Sequence, residues 1–160
     1  MSLRHLILGL SVVALAGPAA VAQMPNPYGP SIRLEDARKP AAAALAEAAR
    51  NKWTMAVAIV DPSGTLVYFE KMDNTQVASA KVAIDKARSA AIYKRPTKEF
   101  QDGLAAGGAG LRLLRLRDAS PVEGGIPLLV DGKIIGAIGV SGDSSAHDNV
   151  CATAGAAVVK

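Results

Sequence analysis

Asp131-Gly132 stands between two apolar runs, Ile126–Val130 and Ile134–Val140. A two-residue loop of this kind needs positive φ at its central positions, which Asp and Gly tolerate, and its twist suits two antiparallel strands. The chain therefore carries a tight hairpin, and its fold must include an antiparallel sheet. A second hairpin lies upstream. Met55–Val60 is a short apolar run with three β-branched residues, Asp61-Pro62-Ser63-Gly64 has the residue order of a tight turn, and Thr65–Met72 returns. Leu111–Leu116, partly alternating with Arg112 and Arg115, reads as a further strand.

The segments between the strands are helical. Leu34–Lys52 is rich in Ala, Leu, Glu and Arg, with Pro40 predicted to start or kink the helix. Val77–Tyr93 places Ala80, Ala83, Ile84, Ala87 and Ala91 on a narrow face that allows close approach of a sheet or of another subunit. Pro96 ends this helix, and Thr97 is expected to cap a short one through Phe100. A last helix, Ser145–Val158, is expected to pack a Val150, Ala154 and Val158 stripe on the core, with Ser144 and Asp148 capping free N–H groups. The resulting order predicts an α+β domain: an antiparallel sheet of about five strands flanked by helices.

The first 22 residues read as a secretory signal. Arg4 precedes an apolar run, Leu6–Ala16, and Ala20-Val21-Ala22 supplies small residues before a cut at Gln23. The run falls short of the about 20 residues a membrane span needs, so no span is expected after cleavage. Residues 23–33, with four residues of Pro or Gly type, read as an extended leader, and residues 34–160 as the domain. A periplasmic or secreted protein is expected. Removing Arg4 leaves 17 basic and 14 acidic side chains, without a basic block or interleaved aromatics, which argues against a nucleic-acid partner. The single Cys151 excludes an internal disulfide and reads as a small buried hydrophobe.

Four features carry possible chemistry, each with a bland counterpart. Gly136, Gly139 and Gly142 have the wrong spacing for a dinucleotide loop and read better as points of close backbone approach. His147, the sole imidazole after cleavage, is either an iron ligand or proton carrier, or a solvated residue in a capping turn. Lys86, Arg88 and Arg95 belong to a basic helix that is either a solvated face or a carboxylate receptor, with Lys86 set among alanines that would bury its stem. Gly124 and Gly125, before Ile126 and Pro127, either line a ligand pocket or form a turn that aligns the strand.

Taken together these segments resemble a known family. Val57-x-Ile59-Val60-Asp61-x-x-Gly64, Met72-Asp73, Ala83-x-x-Lys86-Ala87-x-x-Ala90, Thr97-x-x-Phe100, Glu123-Gly124-Gly125-Ile126-Pro127 and Asp131-Gly132-x-x-Ile135-Gly136-x-Ile138-Gly139-Val140-Ser141-Gly142 stand in the order of the GlcG/HbpS family, which includes the C-terminal domain of PduO-type proteins. The resemblance covers Leu34 to the C-terminus. It implies a profilin-like α+β domain, assembly into homo-oligomers such as octamers, and, in some members, binding of heme or another tetrapyrrole. The leading expectation is an exported heme-binding protein. Lys86, Arg88 or Arg95 would meet the propionates, Gly124, Gly125 and Pro127 would line the site, and His147 would ligate iron; Tyr93, Met72 and Cys151 are weaker candidates. An enzyme for a small carboxylated catabolite and a non-catalytic oligomeric accessory protein are the alternatives.

Overall fold

The computed structural model describes residues 26–160, so the signal and the first leader residues lie outside the described part. Four helices and four strands follow one another: α1 (Leu34–Arg50), β1 (Ala56–Val60), β2 (Leu66–Lys71), α2 (Ser79–Tyr93), α3 (Thr97–Ala105), a 3-10 helix (Gly108–Arg115), β3 (Gly125–Val130), β4 (Lys133–Ser141) and α4 (Ser145–Ala156). The strands form one antiparallel sheet in the order β2-β1-β4-β3. Both expected hairpins form. Asp131 and Gly132 have φ of 49° and 71°, the two positive values that the β3–β4 loop requires.

The expected fifth strand is absent among the described residues. Gly108–Arg115 is the 3-10 helix instead, and none of its side chains is fully buried. Gly107 and Gly108 turn the chain with φ of 67° and 54°. The segment packs against α3, with Leu113 reaching Gly103, instead of pairing with either edge strand, β2 or β3, and the period of three prevails over the period of two.

Two cores sandwich the sheet. On one face Ala37, Ala41, Ala44 and Ala48 of α1 and Cys151 and Ala152 of α4 meet Val57, Ile59, Ile138 and Val140. On the other, Ala83, Ala87, Ala90 and Ala91 of α2 meet Ala56, Ala58, Val60 and Ala137. β1 alternates between the faces and is buried throughout because helices cover both. The small-residue stripe of α2 thus packs on the sheet. A Cβ at Gly139 would collide with the Ala83 carbonyl, so the glycine run of β4 allows helix contact, as the close-approach reading expected.

Three expectations are corrected. Pro40 does not start α1; the helix begins at Leu34 and runs through the buried proline, which packs on α4 at Gly155. The apolar stripe of α4 is displaced: Asp148, Cys151, Ala152 and Gly155 are buried, whereas Val150 and Val158 are each 45% exposed. The leader is not free over its described length. Gly29 N–H donates to the Ile134 carbonyl at 2.8 Å, Ile134 N–H to the Pro27 carbonyl at 2.9 Å and Ile32 N–H to the Ile135 carbonyl at 2.8 Å. β4 extends beyond the end of β1, which pairs only as far as Ala137, and the leader takes up the backbone groups left over.

Candidate functional site

Lys86 is the largest fully buried side chain. α2 aims its ammonium between β4 and α4, where Nζ donates to Asp148 Oδ2 at 2.6 Å and to the Val140 carbonyl at 3.1 Å. The small neighbours Ala83, Ala87 and Ala90 make the room, as the sequence suggested for its stem. Burial pushes Lys86 below its usual range and Asp148 above its own, in each case against the attraction of the partner. Asp148 also accepts the Asp143 N–H through Oδ1 at 3.4 Å. It is therefore an internal counter-ion and does not have the capping role expected for it. Ser144 alone caps α4, its Oγ accepting the His147 N–H at 3.3 Å.

Gly124 and Gly125 close over this pair. Gly124 has φ of 116°, and its carbonyl accepts the Val140 N–H at 2.9 Å, which sets the β3–β4 register. Gly125 lies so close to α2 that a Cβ there would strike the Lys86 carbonyl. Its N–H donates to Thr97 Oγ1 at 2.9 Å, so Thr97 binds β3 rather than capping α3. Glu123 is held by Gln101, whose Nε2 donates to its carboxylate at 3.3 Å and whose Oε1 accepts its N–H at 3.0 Å. Lys86, Gly124 and Gly125 are brought together, but as an interior hub whose polar groups already have partners. Pro127 lies half-buried on β3.

His147 stands at the start of α4 with its side chain 41% exposed. Nδ1 lies 2.8 Å from Asp143 Oδ1, and the ring stacks on Trp53 with centroids 3.8 Å apart and planes 12° from parallel. The Ser144 N–H and the His147 ring hold the Asp143 carboxyl below its usual range. With Nδ1 committed to a carboxylate and the ring braced by an indole, Nε2 is left as the nitrogen for a metal, which is the arrangement that orients ligating histidines. Trp53 and Asp143 were not singled out from the sequence. An acid four residues before His147 was the available signal for Asp143; nothing local marks Trp53.

The other named residues lie elsewhere. Arg88 Nε donates to the Gly64 carbonyl at 3.3 Å and Nη1 lies 3.8 Å from Asp85. Arg95 Nε donates to the Tyr93 carbonyl at 3.2 Å and Nη1 lies 3.9 Å from Glu99. Tyr93 donates its hydroxyl to the Arg117 carbonyl at 2.6 Å, and Met72 Sδ accepts the Met55 N–H at 3.4 Å. Cys151 is fully buried, and burial pushes its thiol up to about 12. Trp53 precedes β1 and Gly64 follows it, so β1, roughly 16 Å long, separates His147 from Arg88. A groove of about 490 Å³ between the docked leader and the C-terminal residues contains none of the candidate ligand-binding or iron-ligating residues named from the sequence. No described helix is long and apolar enough to cross a membrane.

Comparisons with known proteins fit this architecture. Protein GlcG of Escherichia coli K12 is 38% identical over 100 residues, covering 62% of this chain and 73% of GlcG. The crystal structure of a double mutant of Streptomyces reticuli HbpS matches with a TM-score of 0.76 at 30% identity, covering 91% of this chain and 98% of that one. The crystal structure of a PduOC:heme complex matches with a TM-score of 0.71 at 28% identity, covering 79% and 94% respectively. The family model described as haem degrading protein HbpS-like matches residues 32–157, from the docked leader to the end of α4, and the chain belongs to that family.

Proposed function

We propose that this protein binds heme or a closely related tetrapyrrole outside the cytoplasm, with His147 ligating iron through Nε2. The observation that carries the reading is the Asp143–His147–Trp53 assembly, in a chain whose relative is known as a heme complex. A bound heme supplies an iron centre that accepts a nitrogen ligand; the protein's part is to hold His147 in one tautomer and one orientation. Asp143 does the first and Trp53 the second.

Lys86, Gly124 and Gly125 support the site from inside by fixing α4 against α2 and β3. Arg88 and Arg95, named for the carboxylates, each spend one donor on a backbone carbonyl, so they join a ligand only by exchanging partners. The groove that includes Arg88 also contains Asp85 and Asp118, which opposes a small carboxylated substrate there. Because Arg88 and His147 lie toward opposite ends of the sheet, a ligand touching both ends sits between copies, and the protein acts as a homo-oligomer. Export rests on the order of Arg4, the apolar run and Ala20-Val21-Ala22.

Hemin titration tests the reading. A saturable shift of the Soret band, lost or moved in His147→Ala, is expected. A wild-type titration that matches free hemin sinks heme binding, and an unchanged spectrum in His147→Ala sinks the ligand assignment. N-terminal sequencing of protein recovered from the periplasm or medium should begin at Gln23; an intact Met1 there contradicts cleavage.

A further inference from the structure

We propose that the 3-10 helix Gly108–Arg115, with the residues just after it, forms the carboxylate-binding edge of the tetrapyrrole site; the inference rests on the heme-binding reading above. A 3-10 helix has three residues per turn and about 2 Å rise, so residues three apart eclipse one another at about 6 Å. Leu111 and Leu114 therefore make one row, and Arg112 and Arg115 the next. Leu113 takes the third side and turns inward, reaching toward Gly103 of α3. Leu116 leaves the helix in extended backbone, and Arg117 follows it, anchored through its carbonyl by the Tyr93 hydroxyl.

The apolar row is open: Leu111 is 54% exposed and Leu114 63%. The arginines differ from Arg88 and Arg95. Among the described residues, the guanidinium groups of Arg112, Arg115 and Arg117 have no ion pair or hydrogen bond, whereas Arg88 and Arg95 have both. Exposed leucines beside unpaired arginines call for an occupant that is apolar on its face and anionic at its edge. A tetrapyrrole with carboxylate side chains on two neighbouring rings is that occupant. Two arginines one turn apart can each grip one carboxylate bidentately while the leucines cover the macrocycle.

The same geometry places this edge away from His147 of the same chain. Ser79 at the start of α2 hydrogen-bonds Ser141, close before α4, while Tyr93 at its end bonds Arg117. α2 between them is about 22 Å long. One ligand therefore meets His147 from one copy and the arginine row from another.

The full chain is compared with Arg112→Ala/Arg115→Ala and Leu111→Ser/Leu114→Ser, exposed changes whose folding is checked by urea midpoint. Hemin affinity should fall tenfold or more in each double variant. Wild type should prefer protoporphyrin over its dimethyl ester, and the arginine variant should lose that preference. An equal mixture of the arginine variant with His147→Ala should recover part of the wild-type Soret signal; no recovery overturns the placement across copies. Wild-type hemin affinity in the arginine variant, or equal loss of acid and ester, overturns the carboxylate edge while leaving heme binding intact. If wild type binds no hemin, both readings fall. If the substitutions instead abolish binding to anionic vesicles or self-association while hemin affinity stays unchanged, the surface belongs to a bilayer or a second copy, and the inference is wrong.

Discussion

Lys86 and Asp148, 62 positions apart in sequence, form a fully enclosed ion pair with Nζ 2.6 Å from Oδ2, and the Val140 carbonyl accepts a second ammonium N–H. The pair joins α2, β4 and α4 at one point. Removing either partner strands a charge inside the protein, which costs more than the pair contributes. Lys86→Met should therefore destabilise by about 3–5 kcal/mol, lowering the melting temperature by roughly 10 °C or more. The double replacement Lys86→Met/Asp148→Leu should recover most of that loss. Calorimetry of the single and double variants checks this, and a double variant no better than the single one contradicts it.

Gly125 and Gly132 should respond to alanine to different degrees. A Cβ at Gly125 meets the Lys86 carbonyl and the Thr97 methyl, and backbone cannot step aside cheaply. Gly125→Ala should cost about 3 kcal/mol. Gly132 has open space around it, so only its φ of 71° resists, and Gly132→Ala should cost about 1 kcal/mol. Urea denaturation of the two variants gives the comparison.

The Cys151 thiol imposes a pH dependence. Unfolded, it ionises near its ordinary value; folded, it holds its proton up to about 12. Between those values the folded state binds the extra proton, so its contribution to stability is full below about pH 8.5 and declines as pH rises through the window. The slope approaches about 1.4 kcal/mol per pH unit. Unfolding free energy of wild type should fall more steeply from pH 9 to 10.5 than that of Cys151→Ala; parallel curves would refute it. The native thiol should also resist labelling at pH 8.

Asp143 should matter to ligand affinity more than to folding. Asp143→Asn leaves His147 without its anionic partner and should weaken hemin binding about tenfold to a hundredfold. Because the pair is exposed, the urea midpoint should change little. A large loss of stability with unchanged hemin affinity would assign Asp143 to the fold instead.

On α4 the exposed and buried positions differ from those the sequence pattern suggested. Val150→Asp should cost less than about 0.5 kcal/mol, since Val150 is 45% exposed. Ala152→Leu, at a fully buried site between α1 and the sheet, should cost about 1–3 kcal/mol. Thermal melts distinguish the two.

Local chemistry was enough to read much of the fold. Asp131-Gly132 and Asp61–Gly64 specify their turns through backbone conformation and short-range hydrogen bonds, and Asp61 indeed accepts the Ser63 and Thr65 N–H groups at 2.8 and 3.0 Å. The α2 stripe announced a close-packed helix because only small side chains allow that approach. Arg112 and Arg115 misled because a short Leu/Arg alternation suits a strand or a 3-10 turn equally, and only the packing of this segment on α3 decides. The α4 stripe failed for a related reason: in a run of Ala, Gly and Val, hydrophobicity hardly varies around the helix, so packing against Pro40 and Ile138 sets the buried side.

For the candidate site the division is sharper. The sequence by itself determined that His147 would be the sole histidine beyond the N-terminal apolar segment, that Lys86 would sit among alanines, and that two glycines would precede β3. Only the tertiary structure decided that Lys86 faces Asp148 rather than a ligand, that the Gly125 N–H belongs to Thr97, and that Trp53 braces His147. Each of those contacts joins residues 28 to 94 positions apart. Side-chain type limits what a residue can bind, but which partner reaches it depends on how the helices cross the sheet, and no local pattern encodes that distance.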